Sequence, residues 1–354
     1  MRPIVLPFAT SELPPVGGRI GGAPEDFRVD ELPLYAASGA GEHLYVRVEK
    51  RALTTPALIG AVARAAGVRE RDVGYAGLKD KHAVTSQWLS LAGRIPDPGT
   101  WSLPPGVRIL ETTRHGNKLR TGHLAGNRFR IRLVDVPRDG AGHAGALLAA
   151  LAATGLPNAF GAQRFGHDGT NLVRALDWIR AAAPGARPPA RFLGRLLASS
   201  LQAEWFNRYL VRRIARGVSR LVAGEIVRLA GTGSYFRVDD AEAEQARLAA
   251  GDLVLTGPLP GPRRRPAPGG DAAALEGEIQ RELGLDADAL ARLGDEAPGA
   301  WRDLLVRPEA IECIGPADAA TEGTLEIAFS LPAGSYATVL IRELTRVDGD
   351  RDVG

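Results

Sequence analysis

The residues best suited to chemistry lie in segment 74–88, which reads GYAGLKDKHAVTSQW. Within it, Asp80 stands between Lys79 and Lys81, in a short connection between two apolar runs that are typical of strands. Neighbouring cations favour the ionised form of a carboxyl group. An ionised carboxylate held between strands can attack a sugar carbon as a nucleophile, or stabilise a cation that develops there. An exposed turn with a charged tip is the alternative interpretation of the same residues.

A second group of candidate residues is basic and lies in segment 114–132. The segment contains no acidic residue, and His115 and His123 stand among its cations. Clusters of this kind bind phosphates, and so position a nucleic acid without reading its sequence. Solvated charges on strands and loops are the alternative. The candidates for phosphate contacts are Arg114, Lys118, Arg120, Arg128, Arg130 and Arg132.

Other classes of catalytic site fit the sequence badly. The histidines show neither an HExxH motif nor a paired spacing for zinc. Cys313 is the only cysteine, which excludes an intrachain disulfide and a thiolate metal cluster. Walker-type phosphate loops, dinucleotide fingerprints and GxSxG elbows do not occur. These absences agree with a redox-neutral reaction that needs neither a metal nor an external cofactor.

Composition places the chain among globular proteins of about two domains. Of its 354 residues, 45% are hydrophobic and 24% are charged, and the formal net charge is +3. The basic residues are almost all arginine, which binds phosphates bidentately and stacks on bases, although GC-rich coding sequence also enriches arginine. Neither a signal peptide nor a run as long as a membrane span is recognised. We therefore expect a soluble, cytoplasmic protein, and nothing demands more than a monomer.

Strand patterns near both ends of the chain flank a helical middle. Strands are predicted over 43–49, 72–78, 85–91, 126–135 and 323–331, and helices over 144–154, 169–182 and 190–216. One further helix is predicted to start with Thr55 as its N-cap and Pro56 in its first turn, and to end near Gly67. The Pro-, Gly- and Arg-rich segment 257–270 predicts a loop.

The order of these elements indicates an α+β fold with two domains. Residues 1–154 and 311–354 are expected to form one discontinuous domain around the predicted sheet. Residues 155–310 are expected to form a mostly helical domain that is inserted into the first.

Segment 74–88 resembles the signature of the TruD family of tRNA pseudouridine synthases, in which the aspartate of a GxKDxxAxTxQ-like motif is catalytic. Further resemblances follow in the family's order along the whole chain, and they are weakest across about 235–315. The segments are 24–27 (PEDF), 126–129 (GNRF), 157–166 (PNAFGAQRFG) and 332–344 (PAGSYATVLIREL). The resemblance implies a pseudouridine-synthase-type mixed, largely antiparallel sheet flanked by helices, with the inserted domain described above.

The resemblance also assigns roles to residues. It makes Asp80 the catalytic carboxylate, and it adds Arg164, in the third of these segments, to the expected RNA contacts. Expected contacts with the substrate uridine are Phe27, Lys79, Asn127, Phe129 and Tyr336. Two positions depart from the family pattern. Gly21 stands where a lysine is usual, with Arg19 as a candidate replacement, and Ala159 stands where a tyrosine is usual.

The activity that the resemblance implies is the isomerisation of uridine 13, in the D-arm of tRNA, to pseudouridine. The base has to leave its stack so that the N1–C1′ bond can break and C5 can join C1′. No cofactor is expected, and tRNA is the expected partner. One alternative is a non-catalytic RNA-binding protein or tRNA chaperone, which leaves the motif around Asp80 unexplained. Another is a glycosidase or nucleoside hydrolase, which needs a second carboxylate from Glu25, Asp26 or Glu31.

Overall fold

The computed structural model describes residues 1–181, 190–315 and 323–347. Its strands are, in chain order, β1 (Arg19–Ile20), β2 (Phe27–Pro33), β3 (His43–Arg51), β4 (Gly74–Tyr75), β5 (Val84–Ala92), β6 (Val107–His115), β7 (Leu124–Val134), β8 (Leu156–Pro157), β9 (Ile226–Leu229), β10 (Tyr235–Arg237), β11 (Leu253–Leu259), β12 (Ala300–Asp303), β13 (Leu305–Val306), β14 (Glu309–Ile314) and β15 (Leu325–Pro332). Its α-helices are α1 (Thr55–Ala66), α2 (Gly140–Thr154), α3 (Thr170–Ala181), α4 (Arg191–Ala215), α5 (Ala241–Ala249), α6 (Gly270–Glu282), α7 (Ala287–Ala291) and α8 (Ala337–Thr345).

The chain folds as two compact units. The sheet unit comprises Glu12–Thr154 and Arg307–Gly354, and the helical unit comprises Met1–Ser11 and Gly155–Val306. The first residues of the chain are tied to the helical unit, because the Ile4 N–H donates to both oxygens of the buried Glu204 carboxylate. The assignment of a catalytic domain and an inserted domain with the boundaries expected from the sequence stays a prediction.

The sheet unit is built on a mixed, largely antiparallel sheet. Its strand order is β14-β15-β7-β2-β5-β3-β6, and β1 and β4 add short pairings to β7 and β5. Among the described strands of this sheet, only β2 and β5 run parallel to each other. Three helices, α1, α2 and α8, belong to the same unit. The predicted α+β fold with a mixed, largely antiparallel sheet is confirmed.

One face of this sheet forms the core under α1. Val46 and Val48 of β3 and Leu89 of β5 are fully buried against Leu58 and Val62 of the helix. Strict alternation of apolar residues in β3, which predicts the strand, directs both valines to the same face. Burying each such side chain stabilises the fold by about 1.5–3 kcal/mol. Helix α1 therefore packs on the same face of the sheet as the polar residues of the site.

Helix α1 has a different N-cap from the predicted one. Thr54, not Thr55, is the N-cap, and its Oγ1 accepts a hydrogen bond from the Ala57 N–H at 3.3 Å. Pro56 lies in the first turn, and Gly67 ends the helix with a left-handed φ of 70°. The prediction of Thr55 as N-cap is wrong because Thr54 accepts the hydrogen bond from the N–H group in the first turn of the helix. The Thr55 hydroxyl is thereby available for contacts outside α1.

The helical unit contains strands as well as helices. Besides α3 to α7 it has an antiparallel four-stranded sheet, β10-β9-β11-β12, and the strand pair β8 and β13. The sequence predicted α4 closely but not this sheet. Strand β11 continues to Leu259, and Pro258 lies opposite Trp301 of β12, so the predicted loop begins only after this strand. Within the described ranges, no helix is both long and apolar enough to cross a membrane.

Candidate active site

The segment that carries Asp80 lies where β5 changes its partner. Along one edge, β5 pairs with β3 over its whole length. Along the other edge, Val84–Ser86 pair with β2, and Leu89 and Ser90 pair with β4. Residues 76–83 connect β4 to β5, so the loop begins beside the opening between β2 and β4 and ends where β5 starts to pair with β2.

The register of the sheet places aromatic residues together on the face of the buried valines. Phe129 of β7 lies opposite Phe329 of β15 on one side and Val29 of β2 on the other. The Phe27 ring meets the Phe129 ring edge-on with 6.2 Å between centroids, and Phe329 stacks on Phe129 at 5.5 Å. All three rings are buried. The sequence named Phe27 and Phe129, but it missed Phe329, because a strand pattern does not reveal register.

The Asp80 side chain is exposed although the backbone around it is held firmly. Lys50, at the end of β3, is fully buried, and its Nζ donates to the Asp80 carbonyl oxygen at 2.7 Å. The Lys79 N–H donates to Thr55 Oγ1 at 2.9 Å. The Thr55 hydroxyl in turn donates to Oε1 of the buried Gln87 at 3.0 Å. A carboxylate on a segment fixed in this way meets a substrate with little further ordering.

Lys50 is a site residue that the sequence analysis missed. Burial lowers the pKa of its ammonium to about 8, the Asp80 carboxylate opposes this shift, and Lys79 adds to it. Lys50 stands opposite Thr85 in the sheet and continues the alternation of Val46 and Val48 onto the buried face. A lysine at a position where the strand pattern demands an apolar residue is the signal that could have revealed it.

The Lys79 ammonium has a buried protein partner. Its Nζ lies 2.7 Å from the Glu31 carboxylate, and the two side chains are 4% and 1% exposed. The other Glu31 oxygen accepts a hydrogen bond from the Trp88 N–H of β5 at 3.1 Å, at the opening between β2 and β4. Glu31 therefore joins the Asp80 loop to two strands. The contact of Lys79 with substrate that the resemblance implies stays a prediction.

Three polar atoms on the same part of the sheet unit lack partners. Asn127 Oδ1, Thr85 Oγ1 and Ser335 Oγ are buried and accept or donate no hydrogen bond among the described residues. Asn127 lies directly opposite Glu31, and Ser335 precedes the half-buried Tyr336 at the start of α8. Burying an unpaired polar atom is costly, so such atoms mark positions where a ligand supplies the hydrogen bond. A uracil ring, which in a nucleoside carries two carbonyls and one N–H, matches amide and hydroxyl groups of this kind.

Three predicted RNA contacts lie on the opposite face of the sheet from Phe129. Residues alternate in β7, so Arg128, Arg130 and Arg132 project away from the aromatic cluster. Each is paired with a carboxylate: Arg128 with Glu312 at 2.7 Å, Arg130 with Glu326 at 3.3 Å and Arg132 with Asp26 at 2.6 Å. Their role in binding RNA stays a prediction.

The remaining predicted RNA contacts are dispersed. Arg114 donates to the Gly41 carbonyl, Lys118 donates to the Arg71 carbonyl, and Arg120 is exposed on the loop before β7. Arg164 belongs to the helical unit, where its guanidinium lies 5.7 Å from the centre of the Phe160 ring. Neither of the hydrogen bonds from Arg114 and Lys118 involves the Asp80 loop. The role of all four residues in binding RNA stays a prediction.

The structure shows what surrounds the two positions that depart from the family pattern. A side chain at Gly21 would overlap the Asp26 carboxylate, so the backbone at this position approaches that group closely. Arg19 pairs with Asp135 at 2.8 Å, and both side chains are mostly exposed. Ala159 is fully buried in the helical unit.

Within the described ranges, no group of three His, Cys, Asp or Glu side chains is placed to hold a metal ion.

Comparison with known proteins agrees with the motifs in the sequence. The family described as tRNA pseudouridine synthase D (TruD) matches residues 6–175 and 187–344. A tRNA pseudouridine synthase D from Anaeromyxobacter dehalogenans is 44% identical over 357 residues, which cover 98% of both chains. One from Thermus thermophilus is 41% identical over 352 residues, which cover 98% of this chain and 94% of the relative.

A solved structure shares the fold. It is described as a candidate tRNA pseudouridine synthase D (TruD) from Methanosarcina mazei, and it superposes with a TM-score of 0.73 at 23% identity over 97% of this chain and 96% of its own. At this identity the likeness speaks for the fold alone. The match to the family and the identity to its members over nearly the full length confirm the resemblance found in the sequence, and the chain belongs to the TruD family of tRNA pseudouridine synthases.

Proposed function

We propose that this pseudouridine synthase acts on uridine 13 in the D-arm of tRNA, with Asp80 as its catalytic carboxylate. The observation that carries the proposal is the construction of the Asp80 loop. Its backbone is fixed by Lys50 and Thr55, and its carboxylate is exposed. The sheet register places Lys50 on the same face as the unpaired Thr85 hydroxyl and the Phe129 ring. The names of the relatives support tRNA as the substrate.

The reaction rearranges bonds without a net change in composition. Asp80 either adds to C1′ or assists departure of the base, and in both cases the N1–C1′ bond breaks. The uracil turns, C5 joins C1′, and the proton on C5 is lost while N1 gains one. Water has to be excluded until the new bond forms, because it would otherwise capture C1′.

The uracil is proposed to lie against the aromatic cluster of Phe27, Phe129 and Phe329. An extruded base gains stacking there that compensates for the stack it leaves. Asn127 Oδ1 is proposed to accept the uracil N3–H, which is supported by its having no partner among the described residues. Tyr336 and Lys79 complete the predicted contacts. A monomeric state and a cytoplasmic location stay predictions from the sequence.

The test compares Asp80→Asn with Asp177→Asn, whose carboxylate is exposed on α3 of the helical unit. Pseudouridine is mapped by carbodiimide treatment and primer extension in a tRNA transcript and in the same transcript with cytidine at position 13. We expect Asp80→Asn to lose activity by about 10³-fold or more, and the control to keep it. Full activity of Asp80→Asn would exclude Asp80 as catalyst.

The same assay separates the other elements of the proposal. Pseudouridine at another position would contradict the assignment to uridine 13 and leave the role of Asp80 standing. Release of free uracil in place of pseudouridine would indicate a hydrolase. Binding of tRNA without either product would indicate a non-catalytic RNA-binding protein.

A further inference from the structure

The sheet unit contains a cavity that is lined by other residues than the aromatic cluster around Phe129. Its volume is about 290 Å³, at the lower end of the range of ligand pockets. A cavity of this size accommodates one planar ring system, such as a single nucleobase, rather than a larger ligand. Aromatic side chains form much of its wall, namely Tyr35, Tyr45, Trp88 and His123.

These walls are built by the face of the sheet that points away from Phe129. Tyr45 lies opposite Thr113 of β6, and Arg47 lies opposite both Glu111 of β6 and Trp88 of β5, so these side chains share one face. The Tyr45 and Trp88 rings are 6.3 Å apart and inclined by 49°.

Hydrogen bonds fix two of the walls in place. The Tyr45 hydroxyl donates to the Asn117 carbonyl at 2.8 Å, and the Tyr35 hydroxyl lies 2.9 Å from His123 Nδ1. Rings that are already ordered lose little entropy when a planar ligand stacks on them. The cavity therefore offers a preformed surface for a planar group.

Glu111 gives the cavity an unused acceptor. It is exposed on the edge strand β6, lines the cavity, and forms neither a hydrogen bond nor an ion pair within the described part of the chain. Exposed cations stand nearby in sequence, since Arg114 follows Thr113 and Arg120 follows Leu119, and both of these neighbours line the cavity. Such cations can hold a phosphate backbone beside the carboxylate.

Glu31 connects this cavity with the catalytic segment. It lines the cavity, and its carboxylate bonds both the Trp88 N–H and the Lys79 ammonium, one residue from Asp80. A single buried side chain therefore contacts both a wall of the cavity and the loop that carries Asp80.

We propose that this cavity binds a second unstacked base of the RNA, a guanine, which stacks on Trp88 and Tyr45 and donates to Glu111. Recognition of single-stranded RNA combines aromatic stacking with hydrogen bonds to the Watson–Crick edge. Guanine presents two adjacent donors there, N1–H and the N2 amino group, which match the two oxygens of one carboxylate. Uracil presents one N–H between two carbonyls, and these repel a carboxylate. The inference rests on RNA as the substrate, as proposed above.

The test measures equilibrium binding of tRNA transcripts in which each guanosine is replaced in turn by inosine, which lacks the N2 amino group. Binding is measured for the unaltered full chain, for Glu111→Ala and for Glu309→Ala, an exposed carboxylate on β14. We expect one inosine position to weaken binding by about tenfold in the unaltered chain and in Glu309→Ala, and to have no effect in Glu111→Ala.

A second variant, Trp88→Leu, keeps the backbone contact with Glu31 and removes the ring. We expect about tenfold weaker binding of tRNA with a thermal unfolding midpoint near that of the unaltered chain. The inference is overturned if Glu111→Ala and the unaltered chain respond alike to inosine at every position. Because the readout is binding of the transcript and not formation of pseudouridine, this result does not depend on whether Asp80 or position 13 is assigned correctly.

Discussion

The Lys50 ammonium bonds the backbone carbonyl of Asp80 at 2.7 Å. A buried cation thus fixes the backbone of the loop and leaves the Asp80 carboxylate exposed for substrate. The same cation lies within electrostatic range of the carboxylate, since Asp80 contributes to the pKa of Lys50. Lys50 is therefore expected to act on the reaction through Asp80, as a positioning residue.

Lys50 makes stability depend on pH in the alkaline range. The folded chain releases its proton near pH 8, whereas an unfolded chain holds it to its ordinary pKa of 10.5. The unfolded state binds more protons between these values, so stability rises with pH across the window, by about 3 kcal/mol. Comparing urea unfolding of the unaltered chain and Lys50→Met between pH 7.5 and 10.5 isolates this effect. Parallel pH profiles would contradict it.

Removing one member of the buried pair of Glu31 and Lys79 is expected to be costly. Glu31→Gln leaves the Lys79 ammonium buried without its partner, which destabilises a protein by about 3–5 kcal/mol. Lys81→Met, at an exposed position in the same loop, is the matched control and should change stability little. The double variant Glu31→Gln with Lys79→Met should recover much of the loss. Lys79→Met alone completes the cycle, chemical denaturation measures all five chains, and a double variant whose loss is the sum of the two single losses would speak against the pair.

Asn127→Ala separates stability from activity. Because Asn127 Oδ1 has no partner among the described residues, its removal should leave the unfolding midpoint almost unchanged. The rate of pseudouridine formation should fall by about tenfold, the value of one hydrogen bond to substrate. Single-turnover kinetics and thermal unfolding of the same preparation provide both readings. Normal turnover would remove Asn127 from the uracil contacts.

Charge reversal of Arg128, Arg130 and Arg132 together is expected to weaken tRNA binding. If each contacts a phosphate, the slope of log affinity against log salt concentration should fall by about 3. Neutralising the partners, as Glu312→Gln with Glu326→Gln, should tighten binding, because it leaves two of these arginines unpaired. Unchanged affinity of the triple variant at low salt would exclude this face from RNA binding.

Local patterns predicted the elements of the fold better than the contacts between them. The alternation of apolar residues in β3 and their helical spacing in α4 were sufficient to predict these two elements, because each pattern lies within a single strand or helix. Thr54 and Thr55 are equally good N-caps by residue type, and only the partners of Thr55 in other elements separate them.

Site residues that belong to a motif continuous in sequence were predicted. Those that reach the site only through the register of paired strands were missed. Asp80 lies in such a motif. Lys50 reaches it because β3 pairs with β5, and Phe329 joins the aromatic cluster because β15 pairs with β7. Register between distant strands depends on side chains of the whole sheet, and no single segment contains it. Strand β11 was not predicted, and its last residues were assigned to the loop 257–270 because proline is rare in strands, whereas Pro258 pairs with Trp301 in the structure.

The stack of Phe329 on Phe129 has a consequence for biosynthesis. Phe129 is translated long before Phe329, because the whole inserted segment lies between them in the chain. Contacts between such distant residues form late in folding. A nascent chain that has not yet released its C-terminal strand from the ribosome therefore lacks one wall of the aromatic cluster. Under the proposed function, a nascent chain therefore cannot hold the uracil against all three rings before β15 has left the ribosome.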